Sequence, residues 1–309
     1  MSIRVHRALL VAFFGLQAFA LASRLAVAQE LEPGAYSISP VGVNVVVVTD
    51  IFTGGDVTFD PALPIEDAEA KINTTVVAYV RSLGLFGRSA NVGMAVPFSV
   101  GHLEGIYIGE FTEVERSGFR DPQFRFAVNL LGAPDMTLQE FASYRQKTNM
   151  GVCVVVAAPL GEYDPSKLVN LGTNRWSFKP EVGLSRAMGK WTLDVYAGAW
   201  VFTDNKKFFG GKTREQDPIG SMQLHLLYTV KPRMWASFDA NFYTGGRTTV
   251  DGRLNLDLQR NSRLGGTFAL PLNRRQSLKF SYSRGAYTTI GADFHAVAVG
   301  YQYLWGAGL

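Results

Sequence analysis

With Cys153 as its one cysteine in 309 residues, the chain can form no intramolecular disulfide, and cysteine-built metal centres are excluded. Past residue 28 no apolar run approaches the roughly 18 residues of a membrane helix. Charge of one dominant sign is also missing. Subtracting Arg4, Arg7 and Arg24 from the 30 basic residues leaves 27 against 26 acidic ones, too even a balance for a nucleic-acid surface. Gly210-Gly211-Lys212-Thr213 ends as a phosphate-binding loop does, but Lys206 stands where that motif needs glycine and no helical pattern follows. Asp50, Asp56 and Asp60 lack the spacing of a calcium loop and read as solvated carboxylates. No cofactor, metal or nucleic acid is expected. If the chain crosses a membrane, it must do so with strands.

What is present begins with a leader. Arg4 and Arg7 precede an uncharged run from Ala8 to Ala22, and Ala26-Val27-Ala28 offers a cleavage site before Gln29. Residues 1–28 are therefore expected to be an export signal and residues 29–309 the mature protein.

The mature part carries a repeating period of two. In Ser177–Ser185, Phe178, Val182 and Leu184 share one face while Ser177, Lys179, Glu181 and Ser185 share the other; Ser277–Ser283 repeats the pattern. Twelve such segments are expected near 36–50, 70–84, 89–101, 119–131, 147–160, 175–187, 190–203, 219–231, 233–244, 258–271, 275–285 and 293–306. Tight connections, such as Met188-Gly189 and Lys231-Pro232-Arg233, alternate with longer ones at 51–69, 102–118, 161–174, 204–218 and 245–257. The exception, 132–146, contains Thr137-Leu138-Gln139-Glu140, a capping-box spacing that predicts a helix, read as a longer turn rather than a lid. The pattern predicts an all-β protein: a transmembrane antiparallel barrel of about 12 strands, with short turns and both termini in the periplasm. Trp176, Trp191, Trp235, Tyr243, Tyr301, Tyr303 and Trp305 fall near strand ends, as aromatic girdles do.

Several stretches carry a resemblance: Asp121-Pro122-Gln123-Phe124, Ala158 to Lys167, Gly172-Thr173-Asn174-Arg175-Trp176, Gln216-Asp217-Pro218, Tyr243-Thr244-Gly245-Gly246, Asn261-Ser262-Arg263 and Ser281-Tyr282-Ser283-Arg284-Gly285. Together they resemble the bacterial family named for the meta-pathway of phenol degradation. That resemblance implies an outer-membrane barrel that takes up aromatic or other hydrophobic compounds, and transport more than catalysis.

Arg81, Arg125, Lys179, Glu181, Asp194, His225, Asp239 and Lys279 fall on polar parities, and Tyr196, Trp200, Trp235 and Phe294 are expected to share the same interior. Mixed signs point to a cross-linked lumen rather than to one selective field. Lys206, Lys207, Lys212 and Arg214 stand in an outward loop at the expected entrance. The expected partners are outer-membrane lipid, a small hydrophobic or aromatic solute and, during biogenesis, the outer-membrane insertion machinery. Two other readings differ in kind. In one, His225 and Asp239 meet across a hairpin and serve Ser221 or Ser237 in a lipid hydrolase; in the other, the barrel is closed and purely structural.

Overall fold

The computed structural model describes residues 31–57, 65–167 and 169–309, so the leader lies outside the described residues. In chain order the strands are β1 (Val43–Val57), β2 (Ile65–Leu85), β3 (Arg88–Tyr107), β4 (Glu110–Phe119), β5 (Gln123–Leu131), β6 (Thr148–Ala157), β7 (Ser177–Met188), β8 (Trp191–Phe202), β9 (Asn205–Phe208), β10 (Lys212–Gln216), β11 (Ile219–Lys231), β12 (Met234–Gly245), β13 (Thr248–Val250), β14 (Arg253–Leu254), β15 (Gln259–Pro271), β16 (Gln276–Tyr287) and β17 (Ala292–Gly306). One helix, α1 (Leu138–Ser143), sits between β5 and β6.

Twelve of these strands, all but β4, β9, β10, β13 and β14, form a closed antiparallel barrel. The seam is the pairing of first and last strands, Val43↔Gly306 through Val57↔Ala292. β2 covers the other side of β1, and β3 pairs with β2 from Leu85↔Arg88 to Ile65↔Tyr107. No barrel strand is left with an open edge, which is what a membrane demands of a sheet.

The twelve expected segments match these strands closely, with two instructive differences. Residues 36–42, expected as the start of the first strand, lie inside the barrel: Pro40 cannot donate to a ladder, and Gly42, at φ 84, turns the chain from the lumen into the wall. The expected loop 102–118 is instead a continuation of β3 paired with β4, turning at Ile108-Gly109. β5 then takes over from β4 as partner of β3, so Phe98↔Phe119 passes to Ala95↔Gln123. Two further outward loops, 204–218 and 245–257, combine into a small sheet ordered β14-β13-β10-β9.

Parity divides the wall into two faces. Along β7, Lys179 and Glu181 are 2% and 7% exposed while Val182 and Leu184 are each 44% exposed. The outward row continues around the cylinder through Phe126, Val154, Leu226, Phe238, Phe280 and Val299. That row makes a continuous apolar band of the kind that membrane barrels turn to lipid. Trp176, Trp191, Tyr301, Tyr303 and Trp305 belong to the outward rows as expected of a girdle. Trp235 and Tyr243 do not: both are 3% exposed and point into the barrel, because odd positions of β12 face inward.

Helix α1 has the expected capping box, with the Thr137 hydroxyl accepting from the Glu140 N–H and the Glu140 carboxylate accepting from the Thr137 N–H. It is more than a plain turn. Leu138 and Phe141 pack against the interior cluster of Val43, Val80 and Leu304, and Phe141 and Tyr144 against Ile38, Ala133 and Met136. The helix thus covers part of the mouth at the end where the chain enters and leaves the wall.

Two outcomes follow. Val182→Arg, on the lipid face near mid-strand, is expected to cost about 2–4 kcal/mol in urea titration of the vesicle-inserted barrel. The Glu140 carboxyl is held below its usual range by the Thr137 N–H and hydroxyl. Because the folded value is the lower one, the cap's contribution is present at neutral pH and is lost as pH falls through that value. Protection factors for hydrogen exchange of amides 137–144, taken relative to the intrinsic rate at each pH, are expected to fall only on acidification.

Candidate functional site

A polypeptide crossing the inside of a barrel must find partners for each backbone group it carries. Residues 31–42 make such a crossing. The Glu32 N–H donates to Gln223 Oε1 at 3.0 Å, the Gly34 N–H to Asp194 Oδ2 at 2.9 Å and the Ala35 N–H to the Tyr196 hydroxyl at 3.0 Å. Carbonyls are met likewise: Arg125 Nη2 donates to Ala35 O at 3.3 Å and Asn149 Nδ2 to Tyr36 O at 2.7 Å. Lower down, the Val41 N–H reaches Met136 O, and Ser82 Oγ donates to Pro40 O. Inward side chains of β2, β5, β6, β8 and β11 together hold this strap.

Tyr36 anchors it. Gly151 of β6 and Gly183 of β7 are cross-strand partners that both face the lumen, and together they leave a hollow in the wall. The Tyr36 ring fills that hollow: a Cβ at Gly183 would stand 2.1 Å from Tyr36 Cε2, and one at Gly151 would stand 2.6 Å from Tyr36 Cδ1. The ring also packs on Tyr196, centroids 5.0 Å apart, and lies beneath the Arg125 guanidinium at 5.8 Å. Its hydroxyl donates to Glu181 Oε1 at 3.1 Å.

Around the strap the interior is cross-linked. Lys179 Nζ lies 2.6 Å from Glu181 Oε2 and 5.9 Å from the Trp200 ring centroid. His225 Nδ1 is 2.8 Å from Asp239 Oδ1, and its Nε2 is 3.2 Å from Gln223 Oε1. Asp239 Oδ2 accepts from Ser237 at 3.0 Å and from Thr267 at 2.8 Å. Lys279 Nζ sits 5.3 Å over the Trp235 ring. Arg125, Lys179, Glu181, Asp194, Tyr196, Trp200, His225, Trp235, Asp239 and Lys279 are all buried in the interior, and Phe294 is with them. Four of these, Arg125, Glu181, Asp194 and Tyr196, bond directly to the strap, a role not visible in the sequence.

Arg81 is the exception and corrects the expectation. It is exposed on the outer face, where its Nη1 donates to Asn44 Oδ1 at 3.2 Å beside Tyr79. Position 81 lies at the end of β2 beyond the apolar belt, where an outward guanidinium can reach headgroups. His225 is fully buried and both its ring nitrogens are engaged, by Asp239 and Gln223, so it contacts neither Ser221 nor Ser237 through a hydrogen bond. Asp50 and Asp56 fall within β1 rather than in a loop, and Asp60 lies outside the described residues.

The interior has two flanks. Val43, Val45, Val47 and Ile51 of β1, with Val76, Ala78 and Val80 of β2, form an apolar wall continued by Ala95 and Ala298. Opposite stand the polar and aromatic groups of β5 to β12. At the outer end the stretches quoted above act as staples: Asp121 accepts from the Gly161 N–H, the Thr173 N–H and the Thr173 hydroxyl. Asn261 Nδ2 donates to the Tyr243 hydroxyl and to Ile290 O.

Comparison with known proteins gives a consistent picture. A family model described as "Putative MetA-pathway of phenol degradation" matches residues 43–297. Among solved structures, the COG4313 outer membrane channel from Pseudomonas putida F1 is similar at a TM-score of 0.76 and 21% identity, over 89% of this chain and 100% of that one. A TodX deltaS2S3 mutant, a monoaromatic hydrocarbon channel, is similar at a TM-score of 0.50 and 10% identity, over 94% and 98% of the two chains. No curated protein matches the chain. The structural likenesses show the fold, an outer-membrane barrel.

Gly183→Leu should evict the Tyr36 ring, since the hollow has no room for both. In a Cys153→Ser background, Ala35→Cys is expected to resist maleimide in the otherwise native barrel and to react once Gly183→Leu is added.

Proposed function

The chain belongs to that phenol-degradation family, and from this premise we propose that it is an outer-membrane channel admitting small hydrophobic or aromatic compounds of phenol type by diffusion. The observation that carries the reading is the division of the interior, with an apolar Val/Ile/Ala flank facing a flank of Tyr196, Trp200, Arg125 and Lys179. A ring with one polar substituent presents the same division, and pockets for such ligands combine apolar lining with a few placed polar groups. Names among the similar structures, an outer membrane channel and a monoaromatic hydrocarbon channel, agree with it. Transport here is not catalysis. The engaged nitrogens of His225 favour a structural task over a general base.

In this reading the strap is the removable part of the seal. Its partners are hydrogen bonds, each contributing about 0.5–1.5 kcal/mol net, and not a covalent or strand-ladder connection. Removal of residues 1–28 on export would leave a mature chain starting at Gln29, directly ahead of the strap. N-terminal sequencing of the membrane-embedded protein checks that start.

Liposome uptake tests the function. The full mature protein is expected to admit phenol faster than protein-free vesicles, and deletion of residues 29–36 to speed entry further while the barrel stays folded. Aromatic uptake no faster than the vesicle background in both forms would leave a closed structural barrel.

A further inference from the structure

A second concavity lies beside the strap, at the mouth formed by the short turns, where Phe141 and Tyr144 also pack against Ile38. It is a cleft of about 390 Å³ between α1, the β7–β8 turn and the β11–β12 turn. Leu227 and Trp235 form its inner end, and Phe141 and Tyr144 contribute from the α1 side. Four cations also line it, Arg145, Lys190, Lys231 and Arg233, while no aspartate or glutamate does.

We propose that this cleft is a docking site for small aromatic carboxylates. Among the described residues none of the four cations forms an ion pair with a carboxylate. Arg233 donates to the carbonyls of Asn273 and Gln276, and Arg145 to those of Ala142 and Tyr144, so both guanidinium groups are tethered while their charge stays uncompensated. Four like charges at a concave surface concentrate anions there. Trp235 adds an independent pointer: it is 3% exposed, and among the described residues its indole Nε1 has no hydrogen-bond partner. An indole N–H can only donate, and a buried donor without an acceptor is costly. Trp235 lines the inner end of the cleft, so a carboxylate drawn there brings an acceptor to it, while Phe141 and Tyr144 offer faces and edges for an aromatic ring. The volume lies within the range of small-molecule sites.

The proposal rests on the channel reading to the extent that this mouth is where an inbound solute leaves the barrel, but its test does not need transport. Titration of the detergent-solubilised full mature protein with benzoate, followed by calorimetry and by tryptophan fluorescence, is expected to show saturable binding that weakens with added salt. Benzyl alcohol, of the same size but uncharged, is expected to bind at least tenfold more weakly. Trp235→Phe, which keeps a ring but loses the donor, and the pair Arg145→Gln with Lys231→Gln are each expected to weaken benzoate about tenfold, the scale of one hydrogen bond to a charged group. Retained heat-dependent gel mobility shows that each variant is folded. Absence of saturable binding to the unaltered protein overturns the proposal. So does equal affinity for benzyl alcohol, or affinity unchanged in both folded variants. Benzoate binding without phenol uptake by liposomes would overturn the channel and leave the site standing; uptake without benzoate binding would do the reverse.

Discussion

A backbone polar group inside hydrocarbon has no water to turn to, and here the pairing of β1 with β17 completes the set of partners for all twelve strands. Closure has a second consequence. Once the cylinder is shut, alternate side chains are committed to a confined interior, and that space must be filled by side chains, by water or by the chain itself. This barrel uses its own N-terminal residues. The strap is therefore not an appendage to the fold but one way of meeting the condition that closure creates.

Filling a lumen with backbone is demanding, because each peptide group brought in needs a partner. Asp194, Tyr196, Arg125, Asn149 and Gln223 meet that need from four different strands. The glycine pair Gly151–Gly183 supplies shape where those residues supply polarity. A side chain at either position would occupy the volume of the Tyr36 ring, so the register of β6 against β7 and the position of the strap determine each other. Polar inward residues that the sequence suggests as a solute path thus have a prior task, holding the segment that fills the interior.

How much of this could be read from the chain depends on whether one face of each strand differed from the other. β7 and β16 alternate cleanly, since one face is apolar and outward and the other meets polar groups inside, and their parity was legible. In β1 the run Val45-Val46-Val47-Val48 is apolar on both faces, because its inner face packs on an apolar cluster closed off by α1 and the chain's last residues. The period of two vanishes there, so parity gives no mark of where the strand begins, at Val43 rather than near 36. Pro40 and the Pro33-Gly34 pair were the available warnings. Arg81 misled for a different reason: polarity reports the lumen only within the apolar belt, and at the rim an outward cation is as well placed as an inward one. Trp235 and Tyr243 show the same ambiguity for aromatics. The strap's partnerships were not legible at all, since they join residues far apart in the chain, such as Gly34 with Asp194 and Tyr36 with Glu181, 160 and 145 positions apart.

In the channel reading proposed above, the arrangement also constrains how a solute would pass. A ligand shifts an equilibrium only by its differential affinity for the two states, so a solute that opens the lumen must recover part of what the strap gives up. The strap's attachments include backbone hydrogen bonds to Asp194, Tyr196, Gln223, Asn149 and Arg125, and one tyrosine ring in a glycine hollow with its hydroxyl on Glu181. An aromatic solute with a polar substituent can replace both, its ring taking the Tyr36 hollow and its hydroxyl or carboxylate meeting Arg125 or Tyr196. An aliphatic solute of equal size can offer neither the stacking on Tyr196 nor the polar contact, and a simple ion cannot fill the hollow. In the channel reading proposed above, selectivity for aromatic compounds would then arise from competition with the chain's own tyrosine, without a filter of fixed diameter.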